Sequence, residues 1–470
     1  MTNFLLFSHR ILWGAPALFL IAGVGLYISL RTDFVQLRLF PKAVKELIGS
    51  LRKNNSGSDI SPFQALCTAL AATVGTGNLV GVAGAICLGG PGAIFWMWIC
   101  GILGMGLKYG EVTLALSLKS GKESSSAGGP MYIIQNGMGK RWLPLAYLYA
   151  IFGVIASFGV GNATQINAVV STIRSACESF GIPASSRRDL GIGLLLAVAL
   201  GTVLLGGAKR IGSAAERLIP FASGAYILLC LWILILRRNA IGSAFLQIFQ
   251  GAFSPEAVTG GVVGSAISCL RVGCARGVFT NEAGMGTASM AHACANVSHP
   301  AQQGLLGIIE VFLDTIVICT LTALVILVSG IPIPYGTDAG GSLATQAFTN
   351  VCGNWSGVFL AAALCCFAFA TVLGWGLYGA CCARFLLGKE AGVFFSLGQT
   401  VTVILASLVS TQNLWLFAEV VNGAMAIPNL IALAALTPRL RGLTIEYERI
   451  SGEKTPVEVY YADFHQRQPL

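Results

Sequence analysis

A cluster of glycines and polar residues lies near the centre of one of the longest apolar stretches of the chain, residues 60–107. The cluster reads Gly75-Thr76-Gly77-Asn78, and a glycine inside a helix costs about 1 kcal/mol relative to alanine. If the helix unwinds here, its free backbone amides can face a carboxylate and its free carbonyls can face a cation. The alternative is a seam of small residues for close helix packing, which gives no reason for the neighbouring Asn78.

Polar side chains recur at two other places in apolar stretches. Gln165 lies between Asn162 and Asn167, and Thr371 and Trp375 are four residues apart. On a helix, that spacing puts a hydroxyl and an indole on one face. The hydroxyl could supply a cation ligand while the indole walls a pocket. The alternative for each residue is an interhelical hydrogen bond or plain packing.

Two pairs of buried polar residues receive a structural interpretation instead. Asp314 and Thr315 are adjacent, and Lys108 and Glu111 are three residues apart, a spacing at which side chains on a helix meet. We predict that each pair is an internal contact within the bundle.

The composition excludes a water-soluble globular protein. Of the 470 residues, 55% are hydrophobic and only 10% are charged, and the mean hydropathy is +0.75, whereas soluble domains are about 25% charged. The chain contains several charge-free runs of the roughly 20 residues that a transmembrane helix needs. Since no alternating pattern suggests a barrel, the sequence predicts an all-α polytopic membrane protein.

Several other classes are excluded by the same residues. Most of the 14 cysteines lie in apolar runs, without a CxxC pair or a Cys/His cluster, so neither a disulfide framework nor a metal centre is predicted. The 29 basic residues are scattered over short loops, which argues against a nucleic-acid partner. No redox, metal or nucleophile constellation is visible, so we predict no enzyme activity and no cofactor.

Eleven transmembrane helices are predicted from the apolar runs and the turn signals between them. The predicted spans are 11–30, 63–88, 91–118, 143–174, 189–207, 214–236, 257–274, 304–330, 356–386, 391–410 and 413–437. Ala240–Phe253 is interpreted as an interfacial or re-entrant piece. Residues 276–284 are predicted to form a cytoplasmic loop that either gates the inner mouth or simply folds back, and His292 receives no role.

The basic residues orient this bundle, because cytoplasmic loops are enriched in Lys and Arg. With the N-terminus outside and the C-terminus in the cytoplasm, 23 of the 29 Lys and Arg residues fall on the cytoplasmic side. Residues 438–470 then form a cytoplasmic tail.

The seventh predicted span is also interrupted by glycines, in the string GGVVGS at 260–265. Two blocks of five spans result, 63–236 and 257–437, and an odd number of spans gives them opposite orientations. Glycine-interrupted spans at matching positions predict an inverted-repeat transporter with its site at the bilayer midplane. The helix at 11–30 lies outside the repeat, and the chain 1–470 forms a single membrane domain.

Six strings occur in order between about residues 61 and 380: ATVGTGNLVGVAGAI, GGPGAIFWMW, GGPMYII, ARGVFTNEAGMGTA, LDTIVICTLTALVIL and ATVLGWGLYG. Together they resemble the alanine or glycine:cation symporter family, the sodium:alanine symporters of bacteria and archaea. The resemblance implies sodium-driven import of a small neutral amino acid across the bacterial inner membrane, in an inverted-repeat fold with a broken first helix in each repeat. Sodium is then the coupling ion, and the partners are the amino acid, sodium and the lipid bilayer.

The resemblance also implies a set of site residues. The implied substrate-binding residues, which supply backbone amides or pocket walls, are Gly75, Thr76, Gly77, Asn78, Gln165, Thr371 and Trp375. The implied sodium ligands are the carbonyls of Ala71 and Val74 and the hydroxyl of Thr371. A tryptophan in the pocket leaves a volume that favours alanine, glycine or serine.

The chain departs from the family pattern at five positions. Gly376, Leu377 and Ala380 stand where the family usually has serine, tyrosine and glutamate, Ile166 replaces an alanine, and Thr280 replaces a serine. These changes bear on the choice of substrate more than on the mechanism.

The mechanism implied is alternating access, in which sodium and amino acid each raise the affinity for the other. A first alternative is a sodium-independent exchanger or a proton-coupled carrier on the same fold, and the absence of an acidic residue near Gly75–Asn78 in the sequence argues against a proton site. A second alternative is a channel-like pore or an amino-acid sensor that does not transport. The sequence leaves the oligomeric state open.

Overall fold

The computed structural model describes residues 11–52, 60–120, 128–179, 185–337, 340–408 and 412–451, together with residues 5, 7, 8 and 183. This part of the chain is helical, with one isolated β-bridge between Ile60 and Ala295 and no strand. The all-α prediction is therefore confirmed. The predicted tail 438–470 is helical as far as Ile450, and its residues from 452 onward lie outside the described part.

The helices are labelled in chain order. They are α1 Ala15–Arg31, α2 Phe40–Arg52, α3 Pro62–Thr73, α4 Gly77–Gly89, α5 Ala93–Ser117, α6 Pro130–Gly137, α7 Leu143–Phe158, α8 Thr164–Ser179, α9 Ser186–Leu204, α10 Gly207–Leu236, α11 Ile241–Phe253, α12 Ala266–Asn281, α13 Thr287–His292, α14 Pro300–Val311, α15 Thr320–Val328, α16 Gly340–Cys352, α17 Asn354–Leu387, α18 Ala391–Leu408 and α19 Gln412–Ile450. The π-helical segment Gly159–Ala163 joins α7 to α8, and Phe312–Cys319 joins α14 to α15.

Seven helical segments of the described residues are long and apolar enough to cross a membrane, and the bent pair α3–α4 brings the number to eight. The remaining three predicted spans correspond to α1, α9 and α12, which are shorter or more polar. The structure thus supports a multi-pass membrane protein, and the count of eleven stays a prediction. α11 occupies the predicted interfacial piece, and its 13 residues are too few to span a bilayer.

The first predicted helix break is present where the glycine cluster places it. The Ser61 hydroxyl caps the start of α3 by accepting a hydrogen bond from the backbone N–H of Gln64, and the backbone N–H of Ser61 donates to the side-chain oxygen of Gln64. At the other end, Val74 adopts an extended conformation (φ −76°, ψ 107°) and α4 begins at Gly77. The two halves meet at an angle of 54°.

The second helix break lies at a different place from the predicted one. The span predicted at 257–274 is wrong in its bounds, because residues 260–265 precede the helix and Ser265 caps the start of α12. α12 continues to Asn281 and stops at Glu282, which has a left-handed backbone (φ 52°). Left-handed glycines at 284 and 286 complete the break before α13. The loop predicted at 276–284 is also wrong, since its first part is helical and its later residues are buried.

The two breaks lie against each other and against α17. An ideal Cβ on Gly77 would lie 3.0 Å from Cγ2 of Thr280 in α12, and one on Gly374 of α17 would lie 2.8 Å from the Cβ of Ala72 in α3. Larger side chains at these two glycines would force the elements apart. The glycines therefore bring three helices together around one cavity.

Candidate functional site

The cavity opens between the two helix breaks and is closed by α8, α17 and α19. Its lining residues come from five separate parts of the chain and include six of the predicted site residues. They are Ala72, Thr73, Gly75, Thr76, Gly77, Val160, Gln165, Phe279, Glu282, Thr371, Trp375 and Asn422.

One side of the cavity presents oxygen atoms suited to a cation. The Thr371 hydroxyl lies 3.1 Å from the carbonyl oxygen of Ala71 and 3.0 Å from that of Phe367. Carbonyls at the end of a helix carry partial negative charge, and α3 ends beside Thr371, where an ideal Cβ on Gly75 would lie 3.2 Å from the hydroxyl oxygen. Oxygen atoms of this kind are ligands for a hard cation, so the residues present fit a sodium ion.

The start of α4 faces the same cavity with backbone N–H groups. The first amides of a helix have no partner within the helix and favour an anion, and Thr76 and Gly77 occupy this position. The predicted set of three amides is reduced by one, because the Gly75 N–H donates to Oδ1 of Asn78 at 2.8 Å.

Asn78 holds the break rather than lining this cavity. Its side-chain amide donates to Oδ1 of Asp314 at 2.7 Å and to the Asp314 carbonyl at 3.2 Å. Thr315 donates to the other oxygen of Asp314 at 2.9 Å and accepts a bond from Asn281 at 3.0 Å. The predicted internal contact of Asp314 with Thr315 is therefore present, and it extends into a hydrogen-bonded chain that links the first break to the second.

Trp375 and Gln165 line the cavity, and their role as walls of a substrate pocket stays a prediction. Trp375 packs against the π-helical segment between α7 and α8, where an ideal Cβ on Gly161 would lie 2.3 Å from its Cβ. Gln165 donates from Nε2 to the carbonyl of Val160 at 3.2 Å. Its Oε1 is buried and hydrogen-bonds to no described residue. Buried polar atoms of this kind point to a missing partner.

Six lining residues were not predicted as site residues from the sequence, and three of them, Phe279, Glu282 and Asn422, carry large or polar side chains. Phe279 and Glu282 belong to the string ARGVFTNEAGMGTA, whose family match was recognised but whose residues were assigned to a loop, and Asn422 lies in an apolar stretch without a distinguishing motif. Glu282 is 4% exposed and accepts a hydrogen bond from the Thr287 hydroxyl at 2.6 Å. The sequence signal that could have identified Glu282 was a carboxylate within a motif that also contains three glycines.

The predicted pairing of Lys108 with Glu111 is wrong. Lys108 instead forms an ion pair with Glu310 of α14 at 3.3 Å, and both side chains are fully buried. Glu310 also contacts Nε2 of His292 at 2.9 Å. The histidine left without a role is therefore part of a buried polar cluster between α5, α13 and α14.

Glu111 of α5 stabilises the second helix break through hydrogen bonds to its backbone. One of its carboxylate oxygens accepts the backbone N–H of Gly284 at 2.9 Å and that of Gly286 at 3.0 Å. Asn429 of α19 donates to the same oxygen at 2.8 Å and to the Gly284 carbonyl at 2.9 Å. The backbone groups of the break that have no partner within a helix are thereby hydrogen-bonded. Such pairing is needed because no water is available to them inside a membrane protein.

Three of the five departures from the family pattern lie at closely packed positions. An ideal Cβ on Gly376 would lie 2.4 Å from Cδ2 of Leu204 in α9, so a serine there would require Leu204 to move. Ala380 is buried in a small apolar cluster with Ala383 and Phe395, and Ile166 is fully buried in the core. None of these three positions lines the cavity.

Comparisons with known proteins agree on one family. A model described as "Sodium:alanine symporter family" matches residues 1–460. The sodium/alanine symporter AgcS of Methanococcus maripaludis is 40% identical over 433 residues, which make up 91% of this chain and 93% of that protein. The probable sodium/glutamine symporter GlnT of Bacillus subtilis is 36% identical over 437 residues, covering 92% of this chain and 87% of that protein.

A solved structure resembles the fold as well. The crystal structure of MhsT in complex with L-phenylalanine superposes with a TM-score of 0.55 at 14% identity, covering 83% of this chain and 99% of that chain. At this identity the likeness concerns the fold alone.

Proposed function

We propose a cargo, a coupling ion and a topology for this chain on one premise: it belongs to the sodium:alanine symporter family. The chain is accordingly a multi-pass membrane transporter and not an enzyme. Within this family, we propose that it imports small neutral amino acids, namely alanine, glycine or serine, and that sodium entering with them drives the import.

The observation that carries this proposal is the contact of Thr371 with Ala71 at the end of a broken helix. The carbonyl groups at the end of α3 and the Thr371 hydroxyl can hold a cation. The free amides at the start of α4 can hold a carboxylate next to it. We assign sodium to the carbonyls of Ala71 and Val74 and to the Thr371 hydroxyl. We assign the carboxylate of the amino acid to the backbone amides of Thr76 and Gly77.

The size of the cargo rests on the walls of the cavity. Trp375 is 1% exposed and is fixed against Gly161, so its ring restricts the volume beside Gln165 and Thr371. This favours a side chain no larger than that of serine. The relative GlnT is named for glutamine, which makes the cargo the property that most needs measurement in this chain.

The proposed topology has eleven spans in the bacterial inner membrane, with the N-terminus outside. α1 precedes two inverted repeats, the first opening with the break after Thr73 and the second with the break after Asn281. This arrangement is supported by a broken helix at the start of each block and by the excess of Lys and Arg on one side. The second break differs from the first in carrying an acidic residue.

The proposed mechanism is alternating access around this cavity. Sodium binding draws the end of α3 toward α17, which orders the carboxylate site and raises the affinity for the amino acid, and the reverse holds by reciprocity. A potential of 100 mV acting on one sodium ion supplies about 2.3 kcal/mol, enough for roughly fiftyfold accumulation of a neutral cargo.

A proton-coupled carrier is the second candidate, and one observation favours it. No acidic residue lies near Gly75–Asn78 in the sequence. In the structure Glu282 lines the cavity and Asp314 accepts a hydrogen bond from Asn78. Both carboxyl groups lie where a proton could replace or accompany sodium.

Uptake of labelled alanine by proteoliposomes separates these candidates. We expect saturable uptake with an inward sodium gradient, none with potassium in place of sodium, and no effect of a pH gradient alone. Uptake driven by a pH gradient without sodium would establish the proton carrier. Homoexchange without any ion would indicate an exchanger, unsaturable flux a channel, and binding without flux a sensor.

A further inference from the structure

We propose that Glu282, Gln165 and Asn422 form the subsite for the ammonium group of the amino acid. This inference rests on the proposed function, since it divides the same cavity into an end for the carboxylate and sodium and an end for the ammonium group. Glu282 and Asn422 had no assigned role, and Gln165 had been given only that of a wall.

Glu282 is placed in the cavity by a costly backbone conformation. Non-glycine residues rarely adopt positive φ, and such outliers cluster at functional sites. Here the left-handed Glu282 ends α12 and is one of the residues that line the cavity. A residue without a functional demand at this position would be expected to be glycine, as at 284 and 286.

The carboxylate of Glu282 lacks a cationic partner in the described part of the chain. The Thr287 hydroxyl donates one hydrogen bond to it, and no described Lys, Arg or His lies within ion-pair distance of it. The nearby Lys108 is paired with Glu310. Because a buried carboxylate without a cation is costly, the site is suited to a ligand that brings a positive charge.

Two further acceptors line the same cavity. Oε1 of Gln165 and Oδ1 of Asn422 are buried and hydrogen-bond to no described residue. The orientation of the Gln165 amide is set by its Nε2, which donates to Val160. An ammonium group has three N–H donors and no acceptor, so one carboxylate oxygen and two amide oxygens match its hydrogen-bonding capacity.

The partial charges at the two helix ends are opposite in sign, and they match the two charged groups of a zwitterionic amino acid. The start of α4 carries partial positive charge, whereas the end of α12 at Asn281 carries partial negative charge. A zwitterion can therefore place its carboxylate at Gly77 and its ammonium group at Glu282. With one sodium ion bound, the charges of sodium, zwitterion and Glu282 carboxylate cancel, which suits a site within a membrane.

The test is the substitution Glu282→Gln, which removes the charge and keeps an acceptor for Thr287. The matched control is Glu256→Gln, the same change at an exposed residue outside the cavity. Binding of alanine and of lactate, which carries a hydroxyl in place of the ammonium group, is measured by thermal shift and by competition against labelled alanine. The purified full-length protein is used, in sodium.

We expect Glu282→Gln to weaken alanine binding by about 10- to 100-fold, with lactate binding changed less than about threefold. The apparent affinity for sodium in the absence of amino acid should stay within about twofold, and Glu256→Gln should resemble the wild type. Equal losses for alanine and lactate would overturn the proposal, because they would show a structural role only. Unchanged alanine binding would overturn it as well.

A second variant covers the case in which Glu282→Gln fails to fold. Gln165→Leu removes one acceptor without removing a charge, and we expect a loss of alanine binding of about tenfold with lactate binding less affected. Wild-type protein that binds alanine without sodium contradicts the proposed function and leaves the subsite standing. Sodium-dependent alanine binding that neither variant weakens contradicts the subsite alone, and wild-type protein that binds no amino acid contradicts both.

Discussion

The hydroxyl of Thr371 lies 3.1 Å from the carbonyl oxygen of Ala71, although the two residues are 300 positions apart in the chain. The contact joins the middle of α17 to the end of α3, where the first helix break begins. A cation bound between these oxygens would hold the two helices together, and its loss would release them. The sodium dependence of transport should therefore respond first to changes at Thr371.

Substitution Thr371→Val should raise the sodium concentration needed for half-maximal alanine uptake by about tenfold or more, since one oxygen ligand is lost while the volume is kept. Thr371→Ser is the matched control, because it retains the hydroxyl, and it should stay within a few fold of the wild type. A sodium dependence equal in Thr371→Val and wild type would remove Thr371 from the sodium site.

Substitution Gly161→Ala should displace Trp375 and impair uptake of alanine. The added Cβ would lie 2.3 Å from the Cβ of Trp375, and overpacking of this kind costs about 1–3 kcal/mol of stability. Gly191→Ala in α9 is the control, since its Cβ would meet nothing within 4 Å. Thermal unfolding and alanine uptake measure both effects. If Gly161→Ala behaves like the control, Trp375 is not fixed by this contact.

Substitution Asn78→Leu should lower the stability of the protein more than a substitution of an exposed residue does. It removes the partner of the Gly75 N–H and the donor to Oδ1 of Asp314, and each such buried group costs about 1–3 kcal/mol. We expect a fall in thermal stability and loss of transport. Asn78→Leu with native stability and uptake would show that this hydrogen-bonded chain is dispensable.

The buried ion pair of Lys108 and Glu310 predicts a non-additive pair of substitutions. Lys108→Met alone leaves the buried Glu310 carboxylate without its lysine partner, although His292 stays beside it, and should cost about 3–5 kcal/mol. The double variant Lys108→Met with Glu310→Gln removes both charges and should recover part of this loss. Thermal unfolding of the two variants decides the matter, and a double variant less stable than Lys108→Met alone would show that Glu310 is held by His292 rather than by Lys108.

The first helix break could be predicted because its signal is local. Two glycines beside Asn78 in an apolar run indicate a break whatever the rest of the fold does. Thr371 and Trp375 were identified from their helical spacing, and both line the cavity. The conformation of Val74 and the capture of the Gly75 amide by Asn78 depend on neighbouring elements, so the sequence could not reveal them.

The second break was predicted at the wrong place because the sequence contains two glycine clusters that could each interrupt a helix. The glycines at 260 and 261 are left-handed in a turn before α12, whereas those at 284 and 286 form the break itself. Local sequence does not distinguish these cases. The long-range contact of Glu111 with Gly284 and Gly286 holds the second cluster inside the bundle. The partner of Lys108 was missed for the same reason, since Glu310 lies on another helix.

Flux of labelled sodium shows whether sodium and the amino acid cross the membrane together. Proteoliposomes with equal sodium inside and outside receive alanine on the outside only. We predict that alanine drives labelled sodium inward, that lactate does not, and that Thr371→Val strongly reduces this entry at sodium concentrations that do not saturate the wild type. Alanine uptake without sodium entry, or sodium entry that does not depend on alanine, would contradict this prediction.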